Sequence, residues 1–96
     1  MSTFHLTIRT PDAELFTGDV SSFNVATETG YIQVLAHHAN FTGTVQFSPV
    51  KVENEKGAET YLVRNGIFYF DHKKNAASLL ALYCEEQSQV SYQTTE

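Results

Sequence analysis

Turn-forming residues interrupt this chain every several positions, and the segments between them alternate between apolar and polar residues. At the N-terminus Phe4, Leu6 and Ile8 alternate with polar neighbours, which is the period of two of a half-buried strand. No segment shows the sustained apolar period of 3.6 residues that an amphipathic helix requires. We therefore predict an all-β fold, a small β-sandwich of about eight to ten short strands.

Prolines, glycines and polar clusters delimit the predicted strands. Pro11 is predicted to end the first strand and Ser48-Pro49 a later one, because proline has no N–H group for a ladder. Asn65-Gly66 is predicted to be a turn or a bulge. The predicted strands cover residues 4–8, 15–16, 20–25, 31–35, 41–47, 50–53, 59–63, 67–70 and 79–84.

The 96 residues are enough for one domain and too few for two. We predict a β-sandwich domain over residues 1–86 and a polar C-terminal tail over 87–96, frayed at its end. No signal peptide is visible at the N-terminus, and no apolar run approaches the roughly 20 residues that cross a bilayer. The expectation is that the chain meets a membrane only through a partner.

The charge balance and the cysteine count exclude several classes of protein. Six basic residues stand against 11 acidic ones, which argues against nucleic-acid binding because that requires a basic surface. Cys84 is the single cysteine, so no internal disulfide can form and a reducing compartment is favoured.

The residues predict no catalytic, cofactor or metal site. The phosphate-binding glycine loops, the hydrolase motif Gly-x-Ser-x-Gly and the common metal motifs are absent from the sequence. His37 and His38 are adjacent and would point to opposite faces of a strand, and nothing brings His5 or His72 to them. Cys84 lies in an apolar strand, where an inert thiol is expected.

Residues 27–41 are the most informative stretch. Gly30 closes a polar turn, since glycine takes positive φ without steric cost. A short strand rich in β-branched and aromatic residues follows over 31–35, and then a compact corner over 37–41. If that strand is short, the turn and the corner are expected at the same end of the sandwich.

This stretch and the segment before it resemble the N-terminal β-sandwich domain of the epsilon subunit of F-type ATP synthases. The motifs that carry the resemblance are Thr10-Pro11, Phe16-Thr17-Gly18, Thr27-Glu28-Thr29-Gly30, Ile32-Gln33-Val34-Leu35 and His38-Ala39-Asn40-Phe41, with a weaker match at residues 63–68. The family commonly has proline where this chain has Ala26, Ala36 and Asn40, and glycine in place of Ala13. It generally carries a helical hairpin after the sandwich, so this chain resembles the short, sandwich-only members.

The resemblance implies a non-catalytic central-stalk subunit that couples the gamma shaft to the membrane c-ring of a proton-translocating ATP synthase. It implies no cofactor, and a peripheral position on the cytoplasmic side of the membrane. By resemblance the ring-facing residues are Glu28, Thr29, Gly30, Tyr31, His38, Ala39 and Asn40, and the gamma-facing residues are Thr10 and Gly43. The alternatives are a free-standing β-sandwich binding or regulatory module of the same fold, located in the cytoplasm, and a small enzyme.

Overall fold

A computed structural model of the chain describes residues 2–87 and builds them into one sheet of seven strands. Among these residues there is no helix with the length and apolar character to cross a membrane. The predicted tail falls outside the described residues except for Gln87, whose N–H group donates to the Thr60 carbonyl at 2.8 Å. The strands are β1 Phe4–Arg9, β2 Glu14–Val20, β3 Ser22–Thr27, β4 Gly30–Leu35, β5 Phe41–Asn54, β6 Gly57–Asp71 and β7 Ala76–Glu86.

The all-β prediction is confirmed, but the predicted break at Ser48-Pro49 was wrong, and the count is seven because predicted strands merge into β5 and β6. Ser48-Pro49 lies inside β5, where Pro49 stands opposite Leu62 of β6. Pairing of β3 with β5 covers only Ser22–Asn24 against Lys51–Glu53, so β3 forms no ladder at Pro49. β6 also continues through Asn65-Gly66, so the turn alternative was wrong there, but an irregularity of the strand lies at Asn65.

The alternation of buried and exposed residues is nevertheless interrupted at one level of the sheet, in three adjacent strands. Gln46, Asn65 and Leu82 occupy the same row and take no part in the ladders, whose register is unchanged on either side. In each strand two successive residues are exposed at this row, so the inward-facing parity changes. Asn65 has a φ of 53°, in the left-handed region that asparagine tolerates better than most residues. The long strands kink here.

The strand order is β2-β1-β7-β6-β5-β3-β4, and the sheet closes on itself. β2 and β3 lie far apart in that order, yet Ser21 alone connects them. The Ser21 N–H group and hydroxyl both donate to the Glu53 carbonyl of β5, at 2.8 and 3.1 Å. β2 also lies against β5. The two ends of one sheet therefore become the two layers of a sandwich.

One apolar core fills the space between the layers and takes side chains from all seven strands. Phe4 meets Phe70 edge to face, with ring centroids 5.4 Å apart, and Phe23 stacks on Phe68 at 5.2 Å. All four rings are almost fully buried. Burial of each such side chain contributes about 1.5–3 kcal/mol, so these pairs hold the layers together.

Where the ladder between β3 and β5 stops, side chains replace it. The buried Ser48 hydroxyl accepts the N–H group of Ala26 at 3.1 Å. Further along, the Glu28 carboxylate accepts the Thr44 N–H group at 2.6 Å and the Thr44 hydroxyl at 3.1 Å. The Glu28 N–H group in turn donates to the Thr44 carbonyl at 3.0 Å. The hydrogen bond from the Thr44 N–H group is the largest cause that lowers the pKa of the Glu28 carboxyl. The N–H group of Glu28 and the Thr44 hydroxyl lower this pKa further.

We predict that Asn65→Val lowers the stability of the chain and that Asn65→Gly does not. A β-branched residue at a φ of 53° costs roughly 1–2 kcal/mol, whereas glycine adopts it freely. In a domain of this size that cost lowers the melting temperature by at least about 4 °C. Thermal unfolding by circular dichroism measures it, and equal melting temperatures for the two variants would contradict the kink at Asn65.

We further predict that Glu28→Gln destabilises the chain at neutral pH and has little effect at low pH. Because the folded-state pKa of Glu28 is lowered, its carboxylate stabilises the fold above the unfolded pKa and loses that effect as pH falls through the folded pKa. Urea unfolding at pH 7 and pH 3 measures the difference. Glu55→Gln, in the exposed β5–β6 turn, is the matched control. A Glu28 effect that is equal at both pH values would refute this account.

Candidate partner interface

The β3–β4 turn presents an exposed aromatic side chain on a well-bonded loop. Gly30 has a φ of 122°, as its place in the turn predicts. The Thr27 hydroxyl donates to the Gly30 carbonyl at 3.1 Å and accepts the Thr29 N–H group at 3.3 Å. Tyr31 follows with 69% of its surface exposed, so it is not a core residue. The turn can therefore offer a phenol ring to a partner.

Glu28 differs from Tyr31 because the fold already uses its carboxylate. One oxygen, Oε1, holds Thr44, while the side chain as a whole remains exposed. A Cβ atom at Gly43 would lie 3.3 Å from that oxygen and 3.0 Å from the Phe41 ring. Gly43 is therefore needed for the close approach of these two side chains. Gly43 itself is buried beneath them.

The corner between β4 and β5 is fixed to the β6–β7 turn by hydrogen bonds. The His72 N–H group donates to Asn40 Oδ1 at 2.7 Å, and His72 Nδ1 lies 3.2 and 3.1 Å from the carbonyls of His37 and His38. The His37 N–H group donates to Asn75 Oδ1 at 2.7 Å. His37 and Asn75 have positive φ values of 64° and 52°. The corner is thus held from two sides.

The turn and the corner do not adjoin, contrary to the sequence-based expectation. They lie at opposite ends of β4, whose six residues span about 20 Å. The Phe41 side chain lies near residues of both regions. Its ring lies 6.1 Å from the His38 ring, edge to face, and it approaches Gly43 closely, as the Glu28 carboxylate also does. The predicted ring-facing residues thus form a surface with two separate parts.

Two of the residues that depart from the family's prolines make hydrogen bonds that proline could not make. Ala26 donates its N–H group to Ser48, and the Asn40 side chain accepts from the His72 N–H group. Hydrogen bonds here replace the pre-organisation that proline would supply through its fixed φ.

The two predicted gamma-facing residues lie two rows apart in the register of the sheet. Thr10 closes the β1–β2 turn, with its N–H group donating to the Ala13 carbonyl at 2.8 Å. Arg9, which precedes Thr10, pairs with Leu80. Leu80 pairs with Ile67, and Ile67 pairs with Thr44, which follows Gly43. Because Gly43 is buried, any partner contact there would pass through the side chains that cover it.

The sequence reasoning missed an apolar patch on the outside of β5, β6 and β7. Its members are 44–70% exposed: Phe47, Ile67, Tyr69, Leu80, Leu82 and Tyr83. We call it the outer patch. Arg64 lies between two of its rings, 5.2 Å from the centroid of Phe47 and 5.7 Å from that of Tyr83. The available signal was residues 79–83, which are apolar at successive positions and so cannot all face the core.

The histidines and the cysteine form no reactive centre among residues 2–87. The His5 ring lies with Thr17 and Asp19, apart from the corner histidines, and no three potential ligands in this part of the chain are arranged to hold a metal. Burial raises the pKa of the Cys84 thiol to about 11, so the reactive thiolate is disfavoured.

Comparison with known proteins identifies the family. Residues 3–86 match the domain family described as ATP synthase, Delta/Epsilon chain, beta-sandwich domain. An ATP synthase epsilon chain from an Exiguobacterium species is 26% identical over 92 residues, which cover 96% of this chain and 67% of the relative. One from Protochlamydia amoebophila is 32% identical over 79 residues, which cover 81% of this chain and 52% of the relative.

Solved structures agree with the fold. A chain of the Euglena gracilis mitochondrial ATP synthase (OSCP/F1/c-ring) superimposes with a TM-score of 0.79 at 18% identity, covering 95% of this chain and 57% of that one. A chain of the Tetrahymena thermophila mitochondrial ATP synthase (central stalk/c-ring) gives 0.77 at 15% identity, covering 99% and 75%. Because the family match spans nearly all the described residues and the sandwich agrees with it, this chain belongs to the ATP synthase delta/epsilon chain family through its β-sandwich domain.

Proposed function

We propose that the chain is a non-catalytic rotor subunit of an F-type ATP synthase that couples the gamma shaft to the membrane c-ring. The family match over residues 3–86 carries this proposal. Similar chains occur in an OSCP/F1/c-ring assembly and in a central stalk/c-ring assembly, which supports the choice of partners. Such a subunit is a peripheral part of a membrane-bound complex on its cytoplasmic side, and the chemistry belongs to other subunits.

The geometry supports a mechanical role. A coupling piece must transmit torque without yielding, and the core packing and the Ser21 and His72 hydrogen bonds make this sandwich stiff. It also needs partner surfaces in different places. The Tyr31 turn and the His38–Asn40 corner are proposed to face the ring, and the region of Thr10 and Gly43 is proposed to face the shaft.

A free-standing module of the same fold is the second candidate, and the acidic surface and the outer patch would suit that role as well. Affinity purification of the tagged chain from its own cells separates the two. A rotor subunit is recovered with the gamma and c subunits, whereas a free-standing module is recovered without them.

We predict that Tyr31→Ala lowers proton-driven ATP synthesis more than ATP hydrolysis, because it removes an exposed aromatic contact at the ring. A central aromatic contact is worth about 2 kcal/mol or more, while truncation of an exposed side chain leaves the melting temperature nearly unchanged. Both rates are measured on membrane vesicles that contain the assembled enzyme.

The matched control is Gln33→Ala, because Gln33 is exposed on the same strand and has the same parity as Tyr31 but lies away from the turn. It should leave both rates unchanged. If the Tyr31→Ala variant has the same rate of synthesis and the same rate of hydrolysis as the wild type, Tyr31 is not part of the proposed interface.

A further inference from the structure

The outer side of β4 carries unpaired backbone groups. β4 is the last strand in the sheet order, and within residues 2–87 only β3 pairs with it. The Ala26 N–H group donates to Ser48 on β5, so the backbone groups of Ala26 point away from β4. Ala26 stands opposite Tyr31, whose own backbone groups must then point away from β3. Because this direction alternates along a strand, Gln33 and Leu35 direct their groups outward as well. We call these groups of residues 31, 33 and 35 the β4 edge.

The β4 edge lacks the usual protection against strand addition. Natural sheets protect such edges with lysine, proline or a bulge, whereas residues 30–36 contain no charged residue and no proline, and the register with β3 is unbroken. The Leu35 carbonyl accepts the His38 N–H group at 3.2 Å and keeps a second lone pair. Tyr31 and Leu35 are 69% and 50% exposed. An added strand therefore gains both backbone pairing and apolar contact.

The sequence of β4 is complementary to itself. In an antiparallel pair of two β4 strands centred on Gln33, Gln33 faces its own copy and Tyr31 faces Leu35 of the other chain. Ile32 then faces Val34, so apolar side chains meet apolar side chains on both faces of the sheet. This register pairs the outward groups of all three edge residues in both chains, whereas a register shifted along the strand leaves some of them unpaired.

The charges at the two ends of β4 favour the same arrangement. The exposed Glu28 precedes the strand, and His37 and His38 follow it. Antiparallel pairing directs the Glu28 end of each copy toward the histidine end of the other, so opposite charges rather than like charges approach. The net charge of −5 opposes association of two copies through most of their surface, but residues 30–36 carry none of that charge.

We propose that the β4 edge binds a second copy of this chain, antiparallel and with the two-fold axis at Gln33, to form a homodimer. The pairing covers Tyr31, which is the proposed ring contact. The homodimer is therefore a form of the chain outside the rotor, and the two copies must separate before either contacts a ring. This inference goes beyond the proposed function and does not depend on it.

The first test is sedimentation equilibrium of the purified chain at physiological salt. We expect a dimer for the wild type. Gln33→Lys should weaken it about ten-fold or more, because it places like charges directly opposite each other at the axis. Gln33→Ala is the matched control at the same position and should keep the dimer. Because Gln33 is exposed, both variants should melt as the wild type does in circular dichroism.

Two results would overturn the proposal. A wild-type chain that remains monomeric up to about 1 mM has no dimer of useful affinity. A dimer that Gln33→Lys leaves unchanged forms through another surface. Neither measurement involves the ATP synthase, so either result would leave the proposed rotor function standing.

The second test examines the register, in a Cys84→Ser background. Gln33→Cys should form a disulfide between two chains on mild oxidation, because directly opposed residues of a hydrogen-bonded pair have Cα atoms about 5.5 Å apart. Leu35→Cys is the matched control on the same edge. It should not form one, since this register separates the two introduced thiols by roughly 14 Å along the strands. A disulfide from Leu35→Cys and none from Gln33→Cys would refute the axis at Gln33.

Discussion

The fold depends on the single residue between β2 and β3. These strands are five steps apart in the sheet order, so a flat sheet would separate them by roughly 24 Å. One residue spans only about 3.5 Å. The sheet must therefore bend back on itself, and Ser21 fixes the closure by donating twice to the Glu53 carbonyl. The enclosed core is a consequence of this bend.

The bending of the sheet also determines which surfaces remain for contact with other proteins. A bent sheet has most of its backbone groups paired and one set of apolar side chains enclosed, which leaves turns, corners and the outer patch for contact with other proteins. The exposed Tyr31, the hydrogen-bonded corner at His72 and the outer patch are such places. They lie on different parts of one domain, as the proposed coupling between two larger assemblies requires.

Local sequence signals predicted the strands and the turn at Gly30, since alternation and glycine placement are local properties. The merging of strands at Pro49 could not be predicted, because it depends on whether β3 pairs there, which is decided by residues far away in sequence. Asn65 was recognised as unusual, but the row it shares with Gln46 and Leu82 emerges only when three strands align.

The candidate site was predictable only in part, for the same reason. The resemblance pointed to Tyr31, and its exposure agrees with a contact role. The involvement of Glu28 with Thr44 and the burial of Gly43 depend on how β3 lies on β5. Sequence reasoning could not see these relations, nor that His72 would join the corner from another turn.

The most direct measurement of the central claim is a cryo-electron microscopy map of the F-type ATP synthase purified from cells that express this chain. The account predicts the sandwich at the foot of the central shaft, with the Tyr31 turn and the His38–Asn40 corner toward the ring and the Thr10 side of the sheet toward the shaft. A complete enzyme whose map contains another subunit in that position, with this chain absent, would contradict the account.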